Sequence, residues 1–167
     1  MPNLPYLIYD GVTVTENDSV CRIAAARYKP ELLGVTIQEK ALVENYFCAA
    51  TKINPKIRGP ICFKTPISSD KERQEAADQG KELYAGVEQR LAKNKWIASA
   101  GQSIADIYFW ELNEAMTLLC PTFINSYTEI KRWKADFEKE KWLVDFKASG
   151  RFVEKPFYPP NATINNI

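Results

Sequence analysis

The chain has 167 residues, 46% of them hydrophobic and 26% charged, which is room for one ordinary domain or two small ones around a substantial core. Lysine and arginine total 22 against 21 acids, so the charge balance calls for neither nucleic acid nor an anionic membrane surface as partner. Histidine is absent and the seven glycines are scattered singly, which excludes imidazole catalysis, most zinc chemistry and a phosphate-cradling glycine loop. No window approaches a membrane span, and the first residues lack the regions of a secretory signal. Cys21, Cys48, Cys62 and Cys120 fit neither a CxxC pair nor a zinc spacing. They read as reduced thiols, mostly buried, in an intracellular protein that is cytoplasmic by default.

"NLPYLIYDG", Asn3 to Gly11, opens the chain with strand propensity, and Asp10-Gly11 is a strong two-residue hairpin signal before "VTVTE". Such a hairpin is marginal in water without neighbours. The stretch from Thr15 to Lys29 reads as a helix, with Asn17 or Asp18 as N-cap and Val20, Ile23 and Ala24 on its inner face. Pro30 stops it, and "ELLG" reads as a connection and domain boundary.

Everything after Thr36 reads as helix and loop. Thr36 with Glu39 forms a capping box ahead of Leu42, Val43, Tyr46, Phe47 and Ala50 at helical spacing, in a helix expected to end near Pro55. "NPKIRGPICFKTPISS" reads as a loop. Ser69 with Glu72 opens a helix expected to run to about Lys93, with Glu72, Arg73 and Glu88 among a solvated charged face. Ser103 with Asp106 caps "IYFWELNEAMTLLC", a helix apolar on almost every side and therefore central; Pro121 ends it. Ser126 with Glu129 makes a fourth box before Ile130, Trp133 and Phe137, and Trp142, Leu143 and Phe146 suggest one more short helix. The tail "VEKPFYPPNATINNI" carries three prolines and little to bury, a composition expected to fray.

Taken in order, "NLPYLI", "VTENDSV", "GVTIQEK", "WIASAGQSIADIYFWE" and "YTEIKRWKADFE" resemble a cytosolic glutathione S-transferase of mu-class type over most of the chain. The resemblance implies a mostly α fold: a truncated thioredoxin-like α/β remnant at 1–33, made of a hairpin plus a helix, an all-helical domain at 34–152, and a Pro-rich tail at 153–167. By the same resemblance the Leu4–Pro5 bond is cis, the main chain of Leu4 pairs with the cysteinyl segment of glutathione, and Asn3 contacts the peptide. Glu16 and Asn17 stand where a Gln-Ser pair binds the γ-glutamyl end, Glu16 as acceptor for its ammonium; their alternative role is helix capping. Ser103 and Asp106 match the family's structural helix cap. No metal and no cofactor are implied, glutathione entering as ligand or substrate.

Two departures shape the functional expectation. An acid that in the family reaches the partner subunit's glutathione falls near Lys52, with its charge reversed. The family's first strand-helix-strand, which supplies the tyrosine or serine that stabilises the glutathione thiolate, needs about 30 residues, and two residues precede Asn3. Tyr6 and Tyr9 do not stand at that position. The expectation is therefore a chain with no catalytic residue of its own, retained as a structural or interaction subunit. Its open strand edge would be covered by a protein partner, in a multi-subunit assembly or a dimer. The alternative is an active transferase conjugating glutathione to electrophiles, completed by another chain or by a preceding segment.

Overall fold

In a computed structural model of the chain, residues 4–153, 158–159 and 161–166 are described. Strands β1 (Tyr6–Tyr9) and β2 (Val12–Thr15) pair antiparallel, Tyr6 opposite Thr15 and Tyr9 opposite Val12. Asp10 (φ 46°) and Gly11 (φ 78°) form the turn, the left-handed pair that matches the twist of a two-residue hairpin. The helices are α1 (Asn17–Tyr28), α2 (Ile37–Cys62), α3 (Asp70–Asp78), α4 (Lys81–Leu91), α5 (Ile104–Leu119), α6 (Thr128–Phe137) and α7 (Lys141–Ala148), with 3-10 turns at Pro30–Leu33, Phe123–Ser126 and Thr163–Asn166. Their contacts group into two units, Met1–Thr51 with Trp96–Phe109, and Lys52–Lys95 with Trp110–Ile167.

In the first unit, α1 packs on the hairpin and its Arg22 reaches the early part of α2. The Arg22 guanidinium donates to both carboxylate oxygens of Glu44, at 2.6 and 3.1 Å, and lies 4.7 Å from the centre of the buried Phe47 ring. That partner holds the Glu44 carboxyl below its ordinary range. At the start of α2, Glu39 and Thr36 bond reciprocally, the Glu39 main-chain N–H to the Thr36 hydroxyl and the Thr36 N–H to the Glu39 carboxylate, each at 3.1 Å. Glu39 also accepts from the Val35 N–H at 2.9 Å and the Ala100 N–H at 3.1 Å, tying the 96–102 loop to the helix start. Gly34 precedes this cap with φ 91°, and a Cβ there would stand 2.6 Å from the Lys40 nitrogen, so no larger residue fits.

Helix α2 does not end near Pro55. It runs through Pro55 and Pro60 to Cys62, although each proline removes an N–H and costs about 3 kcal/mol in a helix interior. The compensation is burial: Ile57, Ile61 and Cys62, in the stretch read as loop, lie in the core of the second unit, at about 1.5–3 kcal/mol per large apolar side chain.

The single helix expected from Ser69 to Lys93 is two. The Ser69–Glu72 capping box starts α3 as read, but the Gln79 and Gly80 N–H groups turn to Ala76 and Ala77 carbonyls, three residues back, and the helix closes. A Cβ on Gly80 would sit 3.1 Å from the Met116 methyl and 3.4 Å from Ile57 Cδ1, a close approach that explains the glycine.

At α6 the Ser126–Glu129 box is not formed. The Ser126 hydroxyl donates to the Phe123 carbonyl at 3.3 Å, and the first amides of α6 find a distant carboxylate. Glu88 of α4, read as solvated, accepts from the Glu129 and Ile130 N–H groups at 2.9 Å each. In return Arg132 of α6 donates to the carbonyl of Leu91, the last residue of α4, at 3.0 Å and to that of Asn94 just beyond it at 3.2 Å. Each helix thus satisfies the orphan groups of the other, a reciprocal cap spanning about 40 residues of sequence. Around it the second unit buries Tyr84, Val87, Leu91, Ile130, Trp133 and Phe137. The tail contributes too: Tyr158, Ala162 and Ile164 are buried, where composition suggested fraying.

Candidate functional site

The hairpin register places four of the five residues that the resemblance assigns to glutathione at one end of the first unit. Tyr6 pairs with Thr15, so Leu4–Pro5 leads into β1 beside the point where Glu16–Asn17 leaves β2. The Leu4–Pro5 peptide is cis, and Leu4, Pro5, Glu16 and Asn17 are all exposed. Asn3 lies outside the described residues.

Glu16 has φ 69° and ψ 127°, a backbone conformation that an L residue holds at a cost of order 1–3 kcal/mol and that concentrates at ligand sites. Its side chain makes no cap bond to α1, and neither Asn17 nor Asp18 is the N-cap; Asn17 and Asp18 are the first helical residues instead. The Glu16 carbonyl accepts from the Val20 N–H at 2.9 Å, which starts the helix. The arrangement therefore sets a carboxylate, a side-chain amide and the amino-terminal end of α1 next to the bend of the cis Leu4–Pro5 peptide. Chemically it offers an acceptor for an ammonium group, donors for a carboxylate and a main-chain edge for a peptide.

Alternate side chains along β1 stand exposed. Leu4, Tyr6 and Ile8 are 79, 55 and 63% exposed, while Leu7 and Tyr9 are half-buried and the Tyr9 ring lies 5.5 Å from the Arg27 guanidinium. Lys52 is exposed on α2. Among the described residues no cluster of three or more His, Cys, Asp or Glu side chains could hold a metal ion, and no helix is long and apolar enough to cross a membrane.

Ser103 and Asp106 are fully buried. Asp106 accepts from the Ser103 hydroxyl at 2.7 Å, the Ser103 N–H at 3.0 Å and, through its other oxygen, the Ile97 N–H at 3.0 Å. The pair joins the start of α5 to the loop before it, away from the Glu16 end of the hairpin in sequence. Glu39, Arg22 and Glu44, which hold the first unit together, carried no motif beyond the Thr36 box; only their acid and base types at half-apolar positions hinted at pairing.

The comparison that decides the family covers the helical part. Residues 52–141 match the model of the glutathione S-transferase C-terminal domain. The chain belongs to the glutathione S-transferase family. Rat glutathione S-transferase Mu 2 is 25% identical over 165 residues, spanning 98% of this chain and 73% of the relative, and mouse Mu 6 is 26% identical over 168 residues, spanning 99% and 73%. Among solved structures, the transferase Blo t 8 superposes with a TM-score of 0.78 at 17% identity over 99% of this chain and 77% of its own. A transferase of the hookworm Necator americanus, described as monomeric, gives 0.74 at 17% over 90% and 76%. The transferase fold here is mostly α, with the two-stranded hairpin as the described part of its thioredoxin-like portion.

Proposed function

We propose that this glutathione transferase-like chain has no catalytic residue of its own and serves as a structural or interaction subunit. It divides into a thioredoxin-like remnant at 1–33, a helical domain at 34–152 and a tail at 153–167, and it acts in the cytoplasm. The carrying observation is the hairpin itself: among the described residues β1 has one strand neighbour, and Tyr6 and Ile8 stand exposed beside it. A partner polypeptide that covers this edge gives the sheet its further strand. Thiolate stabilisation needs a donor within hydrogen-bond reach of the sulfur, a role the family resemblance gives to neither Tyr6 nor Tyr9.

The same end of the hairpin has groups complementary to glutathione. Its cysteinyl segment would pair with the Leu4 main chain, its γ-glutamyl ammonium would meet Glu16, and Asn17 and Asn3 would complete the contacts. Ser103 and Asp106 serve the helix cap. The clustering of Leu4, Pro5, Glu16 and Asn17 favours a second reading, an active transferase completed by another chain or a preceding segment.

Chromatography on immobilised glutathione, followed by native mass measurement, separates the two. The proposed subunit passes through the column and runs with a partner from its source cells. Retention together with a homodimer that conjugates an electrophile would replace the proposal with the second reading.

A further inference from the structure

Trp110 of α5, Glu138 just past α6 and Phe152 beyond α7 converge on the ammonium of Lys147. The Lys147 Nζ lies 5.1 Å from the centre of the Trp110 ring and 5.7 Å from that of Phe152, with Glu138 Oε1 at 3.7 Å. The two rings stand 6.5 Å apart, inclined at 44°, so one cation meets both. The walls of this niche have supports of their own. Trp110 stacks on the buried Phe137 at 6.0 Å and its indole N–H donates to Glu138 at 3.3 Å, while the Phe152 ring meets Phe146 edge-on at 5.7 Å. Lys134, itself 2.5 Å from Glu114, steadies Glu138 from 3.8 Å. The occupant is held more loosely: 3.7 Å to the carboxylate exceeds hydrogen-bond reach, and the Lys147 side chain is 36% exposed on a flexible four-carbon stem.

We infer that Trp110, Phe152 and Glu138 form an aromatic cage for a small quaternary ammonium compound, which Lys147 fills as an internal stand-in. The chemistry favours that class over the lysine. A primary ammonium set between two rings gives up bonds to water that the rings do not replace, whereas a quaternary ammonium has no N–H to satisfy and lays its methyl groups on both rings. Exchange preserves the charge balance, because one cation replaces another beside Glu138 and Lys147 swings into water. The cage lies within the second unit and is independent of the glutathione end of the hairpin.

Choline chloride titrated into the full chain tests it, read by NMR at the indole N–H of Trp110, the signal that Trp110→Phe removes. Choline should shift that signal saturably, and in Lys147→Ala, where the internal competitor is gone, at about tenfold lower concentration. Adding Phe152→Ala to the Lys147→Ala chain should weaken the response again. The carbon isostere of choline, with an uncharged quaternary carbon in place of the nitrogen, should leave the signal where it is. No saturable shift in Lys147→Ala, equal midpoints in that chain and the parent, or an equal response to the isostere would overturn the cage.

Discussion

The α4–α6 pair and the β1–β2 hairpin meet the same problem, unsatisfied polar groups at the limits of secondary structure, in opposite ways. In the second unit α4 and α6 cap each other through Glu88 and Arg132, and the groups concerned are enclosed with Tyr84, Trp133 and Phe137. In the first unit the hairpin leaves β1 with one strand neighbour among the described residues and turns Leu4, Tyr6 and Ile8 outward. The second unit holds large side chains buried, and the hairpin presents large side chains exposed.

The largest expected effect is in the enclosed unit. Trp133→Ala should cost about 3–5 kcal/mol by urea denaturation, because a fully buried indole packed on the Phe137 ring of the same helix leaves a cavity. Asn113 sharpens the same contrast from the other side: it is fully buried on α5, and neither its amide nitrogen nor its oxygen has a partner among the described residues. Asn113→Leu should leave stability unchanged or raise it by about 1–3 kcal/mol, read as a higher urea midpoint at constant slope. Glu88→Ala, which strands two amides of α6, should cost about 1–3 kcal/mol, and the Glu88→Gln chain, keeping one acceptor oxygen, should lose less.

A smaller effect is set by pH. The Lys64 ammonium, followed by the Ser69 main chain and hydroxyl, holds the Glu72 carboxyl down to about 2 from 4.5. A depressed carboxyl means the native state binds fewer protons, so the stability Glu72 contributes is complete above about 4.5 and is lost as pH falls toward about 2. The parent chain and Glu72→Gln should therefore converge on acidification, in thermal melts taken across that window. Smallest of all is the exposed strand: Ile8→Ser should shift stability by less than about 0.5 kcal/mol in the isolated chain. A large loss there would mean that the hairpin face is covered within the chain.

Much of this was legible in the residues themselves, for local reasons. Asp10-Gly11 specified its turn, and the Thr36–Glu39 and Ser69–Glu72 boxes marked helix starts because the bonds they make lie within three residues. The run of α2 through Pro55 and Pro60 was not legible, since its support comes from the enclosure of Ile57 and Ile61 rather than from propensity. Nor was the role of Glu88, whose partners lie 41 and 42 residues away and which looks like any surface acid in sequence. Nor was the crowding at Gly80, which lies against the Met116 methyl, again a distant neighbour. The site residues Asn3, Leu4, Pro5, Glu16 and Asn17 came from family resemblance; spacing alone would have made Asn17 or Asp18 a helix cap, and neither is one.

In the proposed subunit the open hairpin binds a partner and does no chemistry. The most direct test is the rate at which the purified chain conjugates glutathione to a chlorinated dinitrobenzene, followed by absorbance at saturating glutathione. No rate above the uncatalysed reaction is expected. A rate proportional to chain concentration, in a preparation shown by mass to hold no other polypeptide, would contradict it.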